Sequence, residues 1–279
     1  MGSGALRDLT PDEVASFERD GVICCRAVMP DEWLERVAAA VERNLAAPSA
    51  LSDFISLPDQ GYRNDIFMWL HDDDYRAFVL ESPAAALAQQ AIGSADVTFF
   101  YDQIFVKEPG ADVATPWHHD LTFWPVVGEQ VCSIWMPLDP VTRESSGLEY
   151  VRGSHKWPNR YQAVTPDYNA FMIDPDLEAP PDVDADRDSY DLVSWTMEPG
   201  DVLIFHPLVV HGSTGNTHGT RRRRALATRW FGDDVRYDPR PATMPLPPEH
   251  GLAPGDPFTG PMFPKPTTGV ANGRSRSPR

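Results

Sequence analysis

The stretch Pro116-Trp117-His118-His119-Asp120 decides how the rest of this 279-residue sequence is interpreted. In a β-strand, alternate residues point to the same face, so His118 and Asp120 would point one way and His119 the other. A His-x-Asp pair at the end of a strand can therefore offer an imidazole and a carboxylate to one metal ion. Alone, the pattern is weak evidence, because surface pairs with this spacing arise often by chance.

A third ligand must come from elsewhere in the chain, and His211 is the candidate. It follows a strongly β-like run from Val202 to Val210 and precedes Gly212 and Ser213. We expect it where a second strand ends. Two histidines and one carboxylate on one face of an octahedron, with the other face open, form the ligand set of non-haem Fe(II) oxygenases.

Short β-rich runs, separated by Gly, Pro and Asp turns, surround both segments. They cover residues 97–107, 130–138, 147–152, 201–210 and 225–232. This spacing favours a barrel or sandwich of antiparallel strands. Helical signatures precede them: Thr10 and Glu13 form a capping box, and the helical pattern of residues 76–92 is interrupted at Pro83. The sequence therefore predicts a mainly β protein with flanking helices.

We expect a single domain over residues 1–279. Its expected parts are a helical N-terminal support over 9–92, a β core over 96–235 with an insertion over 156–195, and a Pro/Gly-rich tail over 238–279. A loop as long as this insertion usually forms a lid or a binding loop, so pocket walls are expected from it and from residues 48–75. Roughly the last dozen residues are expected to be mobile.

Composition excludes several classes of partner. The formal net charge is −17, which repels nucleic acid and anionic membranes, although Arg221–Arg224 could form a local basic patch. Cys24, Cys25 and Cys132 have no zinc or redox spacing and are expected to be reduced thiols. No apolar run approaches the ~18 residues that span a bilayer. We expect a cytoplasmic protein that binds a small-molecule substrate and neither nucleic acid nor membrane.

Several blocks of sequence recur in order in one known enzyme family. They are LTPDEVASFERDGVICCRAVMPDE, FVKEPG leading into PWHHD, IWMPLDPVTRESSGLEYVRGSHK, EPGDVLIFHPLVVHGSTGN and RRAL. From about residue 9 to residue 232 the chain resembles the phytanoyl-CoA dioxygenase family of Fe(II)/2-oxoglutarate oxygenases. The resemblance implies a double-stranded β-helix, a cupin-like jelly-roll core, in which His118, Asp120 and His211 hold the iron.

The resemblance also implies an arginine that grips the far carboxylate of 2-oxoglutarate. In the family this residue lies about eleven positions past the distal histidine, and arginine suits the role because its planar fork meets a carboxylate in bidentate geometry. Counting from His211 gives Arg222, whereas aligning on RRAL gives Arg223. We favour Arg223, because one inserted residue in THGT would explain the difference.

Further co-substrate contacts follow from the same resemblance. Ser213 matches a residue that hydrogen-bonds the same carboxylate, and Trp135 matches an aromatic wall. Tyr101 and Gln103 share a strand face where the family supplies polar contacts. His119 departs from the family's commoner Gln, so it is expected either to contact a ligand or only to brace Asp120.

The implied activity is an Fe(II)/2-oxoglutarate-dependent dioxygenase that uses O₂ to hydroxylate a C–H bond of a small or medium-sized molecule, with succinate as co-product. Desaturation, epimerisation and cyclisation use the same ligands and stay open. Halogenation is disfavoured, because the related halogenases replace the carboxylate ligand and Asp120 is present. The alternatives are another metal-dependent cupin-like enzyme and an inactive binding protein on the same fold.

Overall fold

The computed structural model of the protein describes residues 5–164, 174 and 176–268. Helices precede most of the sheet structure: α1 (Pro11–Asp20), α2 (Asp31–Ala46), α3 (Ser52–Ile55), α4 (Asp73–Glu81) and α5 (Ala84–Ile92). The predicted capping box is present in α1, where Thr10 and Glu13 each accept from the other's backbone N–H. Gly21 ends this helix at φ +79°, a left-handed conformation that glycine adopts without strain.

Six strands form the larger sheet. Their order across the sheet is β1 (Val22–Cys25), β9 (Val202–Phe205), β6 (Val131–Pro137), β11 (Arg223–Phe231), β3 (Thr98–Lys107) and β2 (Tyr62–Ile66). Every neighbouring pair is antiparallel. Strand β11 lies between β6 and β3 and is therefore a central strand of this sheet.

Four strands form the smaller sheet. Their order is β4 (Thr115–His118), β10 (His211–Ser213), β7 (Glu149–Val151) and β8 (Leu192–Ser194). A short ribbon pairs β5 (Val126–Val127) with β12 (Arg236–Tyr237). Two packed antiparallel sheets of this kind make the predicted jelly-roll barrel.

The larger sheet has two buried faces. Its outer face packs Ile104, Ile134 and Leu226 against the helices, in one cluster with Trp33 and Phe78. Its inner face points toward the smaller sheet. There Trp135, Leu203, Phe205, Ala225 and Ala227 share a cluster with Tyr150 of β7. Side chains alternate between two buried faces, so both sets are apolar, and the strands were therefore recognisable as apolar runs.

Some elements differ from the sequence-based expectation. Residues 48–75 were expected only as a pocket wall, yet Tyr62–Ile66 within them forms β2, whose polar sequence YRNDI hides its strand character. The insertion 156–195 contributes β8 to the smaller sheet, so it is not wholly loop. Its residues 165–173 and 175, and residues 269–279 of the tail, lie outside the described residues.

The described part of the tail belongs to the core. Met244, Phe258 and Phe263 are buried in an aromatic cluster with Phe100 and Trp124. Among the helices of the described residues, none combines the length and apolar character that a membrane span needs.

Candidate active site

Three side chains meet at one end of the barrel interior. His118 ends β4, Asp120 follows two residues later, and His211 begins β10, which pairs with β4 so that His211 lies opposite His118. Potential ligand atoms of the three residues all lie within 4.8 Å of one another. Because β4 stops at His118, Asp120 reaches the site from the turn after the strand rather than from the strand itself.

Backbone carbonyls orient both imidazoles. The Nδ1–H of His118 donates to Pro116 O at 2.7 Å, and the Nδ1–H of His211 donates to Val209 O at 3.0 Å. Each ring therefore turns Nε2 toward Asp120, whose Oδ1 lies 3.4 Å from His118 Nε2 and 3.9 Å from His211 Nε2. A carbonyl on the second ring nitrogen is the usual way in which proteins fix a metal-binding histidine.

The protonation states of His211 and Asp120 suit a cation. Burial lowers the pKa of His211 to about 4, which favours the neutral imidazole that binds metals. Burial alone would raise the pKa of Asp120, but the hydrogen bond with His118 and the charges of His211, His118 and Arg229 hold it well below its usual value. Two oriented imidazoles and an ionised carboxylate are a donor set that fits Fe(II).

A second polar group lies deeper in the barrel, where β3 ends and β11 begins. Lys107 and Arg223 are cross-strand partners there, and both are buried. Lys107 Nζ donates to Ser146 Oγ at 2.9 Å, Ser213 Oγ at 3.1 Å and Thr214 O at 3.0 Å. Burial, and then the charge of Arg223, lower the pKa of Lys107 well below its ordinary value.

Arg223 is held only loosely by the protein. Its two terminal nitrogens donate to Phe105 O and Ser146 Oγ, each at 3.3 Å, and its Nε has no partner among the described residues. The ring of Trp135 lies 5.7 Å from the guanidinium carbon. Burial lowers the pKa of Arg223 to about 10. A buried guanidinium with spare donors is suited to a carboxylate ligand.

The structure separates Arg223 from its neighbours in the arginine run. Arg222 forms ion pairs with Glu108 at 2.8 Å and Glu42 at 3.3 Å, outside the barrel. Arg224 pairs with Asp139 at 2.8 Å and also with Glu42. Alternation along β11 thus turns Arg223 inward, and acidic partners neutralise the neighbours on both sides. A basic surface patch is therefore not formed by these two residues.

Tyr101 and Gln103 face the barrel interior, but their contacts are with another arginine. Gln103 accepts from Arg229 Nη2 at 2.6 Å and donates to Asn64 Oδ1 at 3.0 Å. The ring of Tyr101 lies 4.5 Å from the Arg229 guanidinium carbon. Direct co-substrate binding by Tyr101 and Gln103 stays a prediction.

His119 is turned away from the three clustered side chains. Its Nε2 accepts the backbone N–H of Tyr161 at 3.1 Å, and the two rings lie 5.2 Å apart. Burial lowers the pKa of His119 to about 3, so the neutral ring acts as an acceptor. His119 therefore anchors the start of the insertion.

A cleft of about 1150 Å³ opens beside the cluster. Leu121 and Thr122, which follow Asp120 directly, line it together with Lys156, Arg160 and Leu177 of the insertion. Residues 48–75, the other expected wall, do not line this cleft.

The sequence interpretation missed Lys107, Ser146 and Arg229. Lys107 could have been found, because it continues the alternate face of Tyr101 and Gln103 at the end of an apolar strand. Arg229 shares the phase of Arg223 on β11. Ser146 carries no such signal; it enters the site through a turn in which its φ is +65°. A non-glycine residue in that conformation is uncommon and often marks a functional site.

Comparison with known proteins gives a family match. The model of the family described as "Phytanoyl-CoA dioxygenase (PhyH)" matches residues 17–225. A probable phytanoyl-CoA dioxygenase of Caenorhabditis elegans is 30% identical over 132 residues, which are 44% of this chain and 38% of that protein. A 1-deoxypentalenic acid 11-beta-hydroxylase of Streptomyces arenae is 25% identical over 211 residues, 72% of each protein.

Solved structures show the same fold. The non-heme alpha-ketoglutarate-dependent carbocyclase SnoK from nogalamycin biosynthesis superposes with a TM-score of 0.74 at 22% identity, over 96% of this chain and 100% of that chain. This likeness confirms the predicted double-stranded β-helix.

Proposed function

The chain belongs to the phytanoyl-CoA dioxygenase family, and from this premise we propose that it is an Fe(II)/2-oxoglutarate-dependent dioxygenase. In this proposal it oxidises, most simply by hydroxylation, a C–H bond of a small or medium-sized organic molecule. The observation that carries the proposal is the combination of the His118, Asp120 and His211 cluster with a buried arginine, Arg223, in the same barrel.

His118, Asp120 and His211 would hold the iron, each through one atom. The carbonyls of Pro116 and Val209 keep the two imidazole Nε2 atoms turned toward Asp120, so the ligands are positioned before a metal arrives. Tyr150 stacks on His211 with ring centroids 5.4 Å apart and limits rotation of that ring. Three protein ligands leave the remaining coordination positions for the co-substrate and O₂.

Arg223, Lys107 and Ser213 would bind the distal carboxylate of 2-oxoglutarate. Arg223 offers a free Nε–H, and Lys107 already organises the Ser213 hydroxyl at 3.1 Å. The Trp135 ring would form one wall beside this carboxylate. Because these groups are buried, a charge-assisted hydrogen bond there is stronger than the same contact in water.

When bound, Fe(II) and 2-oxoglutarate would activate O₂ for oxidation of the substrate C–H bond, with succinate and CO₂ formed from 2-oxoglutarate. The protein's own contribution is to orient the reactants and to exclude water from the barrel interior. The same arrangement would serve desaturation, epimerisation or cyclisation.

The relatives support a small-molecule substrate, since the Streptomyces arenae protein is named for 1-deoxypentalenic acid. We also propose that the chain works as one oxygenase unit in the cytoplasm. Its net charge of −17 supports the absence of nucleic-acid and membrane partners.

Anaerobic titration tests the proposal. The metal-free protein is titrated with Fe(II) and then with 2-oxoglutarate, while the visible charge-transfer band of the iron–keto-acid chelate is recorded and bound iron is measured separately. The wild type should develop the band, and His211→Ala should lack it because one imidazole ligand is gone. His206→Gln is the matched control, since His206 lies outside the cluster and contacts Glu129 O and His155.

Two results would contradict the proposal. If iron binds to the wild type and no band forms, 2-oxoglutarate is not the co-substrate, and the cupin-like metal enzyme becomes the better interpretation. If the wild type binds no iron, the inactive binding protein on the same fold is favoured.

A further inference from the structure

Strand β11 carries two inward-facing arginines. Arg223 and Arg229 lie six residues apart on one face, with Ala225 and Ala227 between them. At about 3.3 Å per residue the two Cα atoms are about 20 Å apart, so the arginines stand toward opposite ends of the barrel interior. Arg223 has a role in the proposed function, whereas Arg229 has none.

The surroundings of Arg229 resemble those of Arg223. Both residues are 97% or more buried, both stack on an aromatic ring, and both have an Nε without a partner among the described residues. Arg229 donates to Ala227 O at 3.1 Å and to Gln103 Oε1 at 2.6 Å. Since a guanidinium has five N–H groups, most of its donor capacity is unused.

Carboxylates of the protein do not neutralise Arg229. Within the described residues Arg229 forms no ion pair at 4.0 Å or less. Arg222, just before β11, and Arg224, in β11, do form such pairs. The charge of Arg229 acts on the carboxyl group of Asp102. That carboxyl, however, accepts a hydrogen bond from the backbone N–H of Trp69, and burial raises the Asp102 pKa to about 7. A carboxyl whose pKa is raised by burial is a weaker counter-ion than an ordinary carboxylate.

The proposed cofactors leave this charge uncompensated as well. Arg229 acts electrostatically on both Asp120 and His211, so it belongs to the metal end of the barrel. Fe(II) brings two positive charges, and the 2-oxoglutarate dianion brings two negative ones. Asp120 then offsets only one of the two arginines, even if Lys107 is neutral. An unpaired buried cation is costly, so a further anion beside Arg229 would be stabilising.

We propose that Arg229 binds a carboxylate of the primary substrate, while Gln103 and Tyr101 hold the guanidinium in position. The inference rests on the proposed function and adds to it a substrate class, small carboxylic acids. Gln103 accepts one N–H of the Arg229 guanidinium, and the Tyr101 ring lies against the guanidinium plane. The unpartnered Nε–H and a neighbouring terminal N–H would together donate to the two oxygens of the substrate carboxylate. Binding there would place the rest of the molecule next to His118, Asp120 and His211.

A binding experiment tests this without turnover. The Fe(II)·2-oxoglutarate protein, kept anaerobic and with 2-oxoglutarate saturating so that Arg223 is occupied, is equilibrated by dialysis with benzoate, cyclohexanecarboxylate and decanoate, and separately with their primary amides. At least one acid should bind about ten- to a hundredfold more tightly than its amide, as a charge-assisted hydrogen-bonded pair requires.

Three variants and a control identify the group responsible. Arg229→Gln should abolish the acid-over-amide preference, and Arg229→Lys should keep part of it because the charge remains. Gln103→Glu should also abolish it, since a carboxylate within hydrogen-bond distance of Arg229 becomes an internal counter-ion. Arg222→Gln, which alters only ion pairs outside the barrel, should bind as the wild type does. Thermal unfolding of each variant reports whether the fold is retained.

Each other result overturns the inference. If the wild type forms the 2-oxoglutarate band but binds no acid better than its amide, Arg229 does not select carboxylates and the proposed function still stands. If Arg229→Gln and Gln103→Glu both keep the preference, another group binds the acid and Arg229 only braces the barrel. If the wild type lacks the band, the proposed function and the inference that rests on it fail together.

Discussion

At the inner end of the barrel, where β3 ends and β11 begins, Arg223 is surrounded by polar groups that already hydrogen-bond to one another. At the metal end, beside His118, Asp120 and His211, Arg229 has no comparable set of polar neighbours among the described residues. Lys107 links Ser146, Ser213 and Thr214 into one hydrogen-bonded set around the inner end. The ammonium and these hydroxyls are satisfied before any ligand binds. Around Arg229, the comparable polar contacts are Gln103 and a carbonyl of its own strand.

On the two proposals above, the barrel interior holds two kinds of binding site. A co-substrate that is the same in every turnover can be met by groups that are largely arranged beforehand, here the hydrogen-bonded set around Lys107 beside the unpartnered Nε of Arg223, which lowers the ordering cost of binding. The proposed substrate site at Arg229 would accept and release a different molecule, in keeping with the unpartnered Nε–H of that guanidinium. Three measurements, beyond those already described, would break or sharpen this comparison.

The largest effect is expected at Arg223. Arg223→Gln removes a buried charge-assisted contact worth about 2 to 3 kcal/mol, so the dissociation constant for 2-oxoglutarate should rise about 30- to 150-fold. Arg222→Gln, one residue away and outside the barrel, should change it less than about twofold. Titration of the visible band measures both. Equal effects of the two substitutions would show that the inward orientation of Arg223 does not select the co-substrate.

A smaller effect is expected at Lys107. Lys107→Met should weaken 2-oxoglutarate binding about tenfold, because a buried positive charge beside the carboxylate is lost and the Ser213 hydroxyl loses the donor that orients it. Stability should change by no more than about 1 kcal/mol, since removing a buried ammonium offsets the lost hydrogen bonds. Urea unfolding checks the second expectation.

Because the pKa of Lys107 is depressed, the direction in which 2-oxoglutarate affinity changes with pH can also be predicted. The protonated amine binds the dianion, so wild-type affinity should fall as pH rises through that depressed pKa, at values below the ordinary 10.5. The Lys107→Met protein should lack this decline. A pH profile that is identical in both proteins would remove Lys107 from the co-substrate site.

The smallest effect concerns His206, which lines the cleft beside the three clustered side chains. Burial lowers the pKa of His206 from 6.5 to about 4. The unfolded chain then takes up this proton first as pH falls, so the stabilising contribution is complete above about pH 6.5 and is lost toward pH 4. In urea titrations of the metal-free protein, His206→Gln should flatten the decline in unfolding free energy over this window. An unchanged slope would show that His206 is not buried in its neutral form.

The sequence by itself determined the chemical types at the site and much of the fold. His118, Asp120 and His211 could be chosen because two histidines and a carboxylate at strand ends form a recognised ligand set. The helix α1 was readable from Thr10, Glu13 and Gly21, since capping depends on neighbouring residues. These features are local, or depend on motifs whose order along the chain is itself informative.

Only the tertiary structure decided which polar residues share the cavity. Arg222 and Arg223 could not be separated by counting, because the answer depends on the pairing of β11 with β3, which turns Arg223 inward beside Lys107. Ser146 enters from a distant turn, and β2 was hidden by polar residues whose partners lie far along the chain. Cross-strand register brings together residues more than a hundred positions apart, and no local pattern encodes that register.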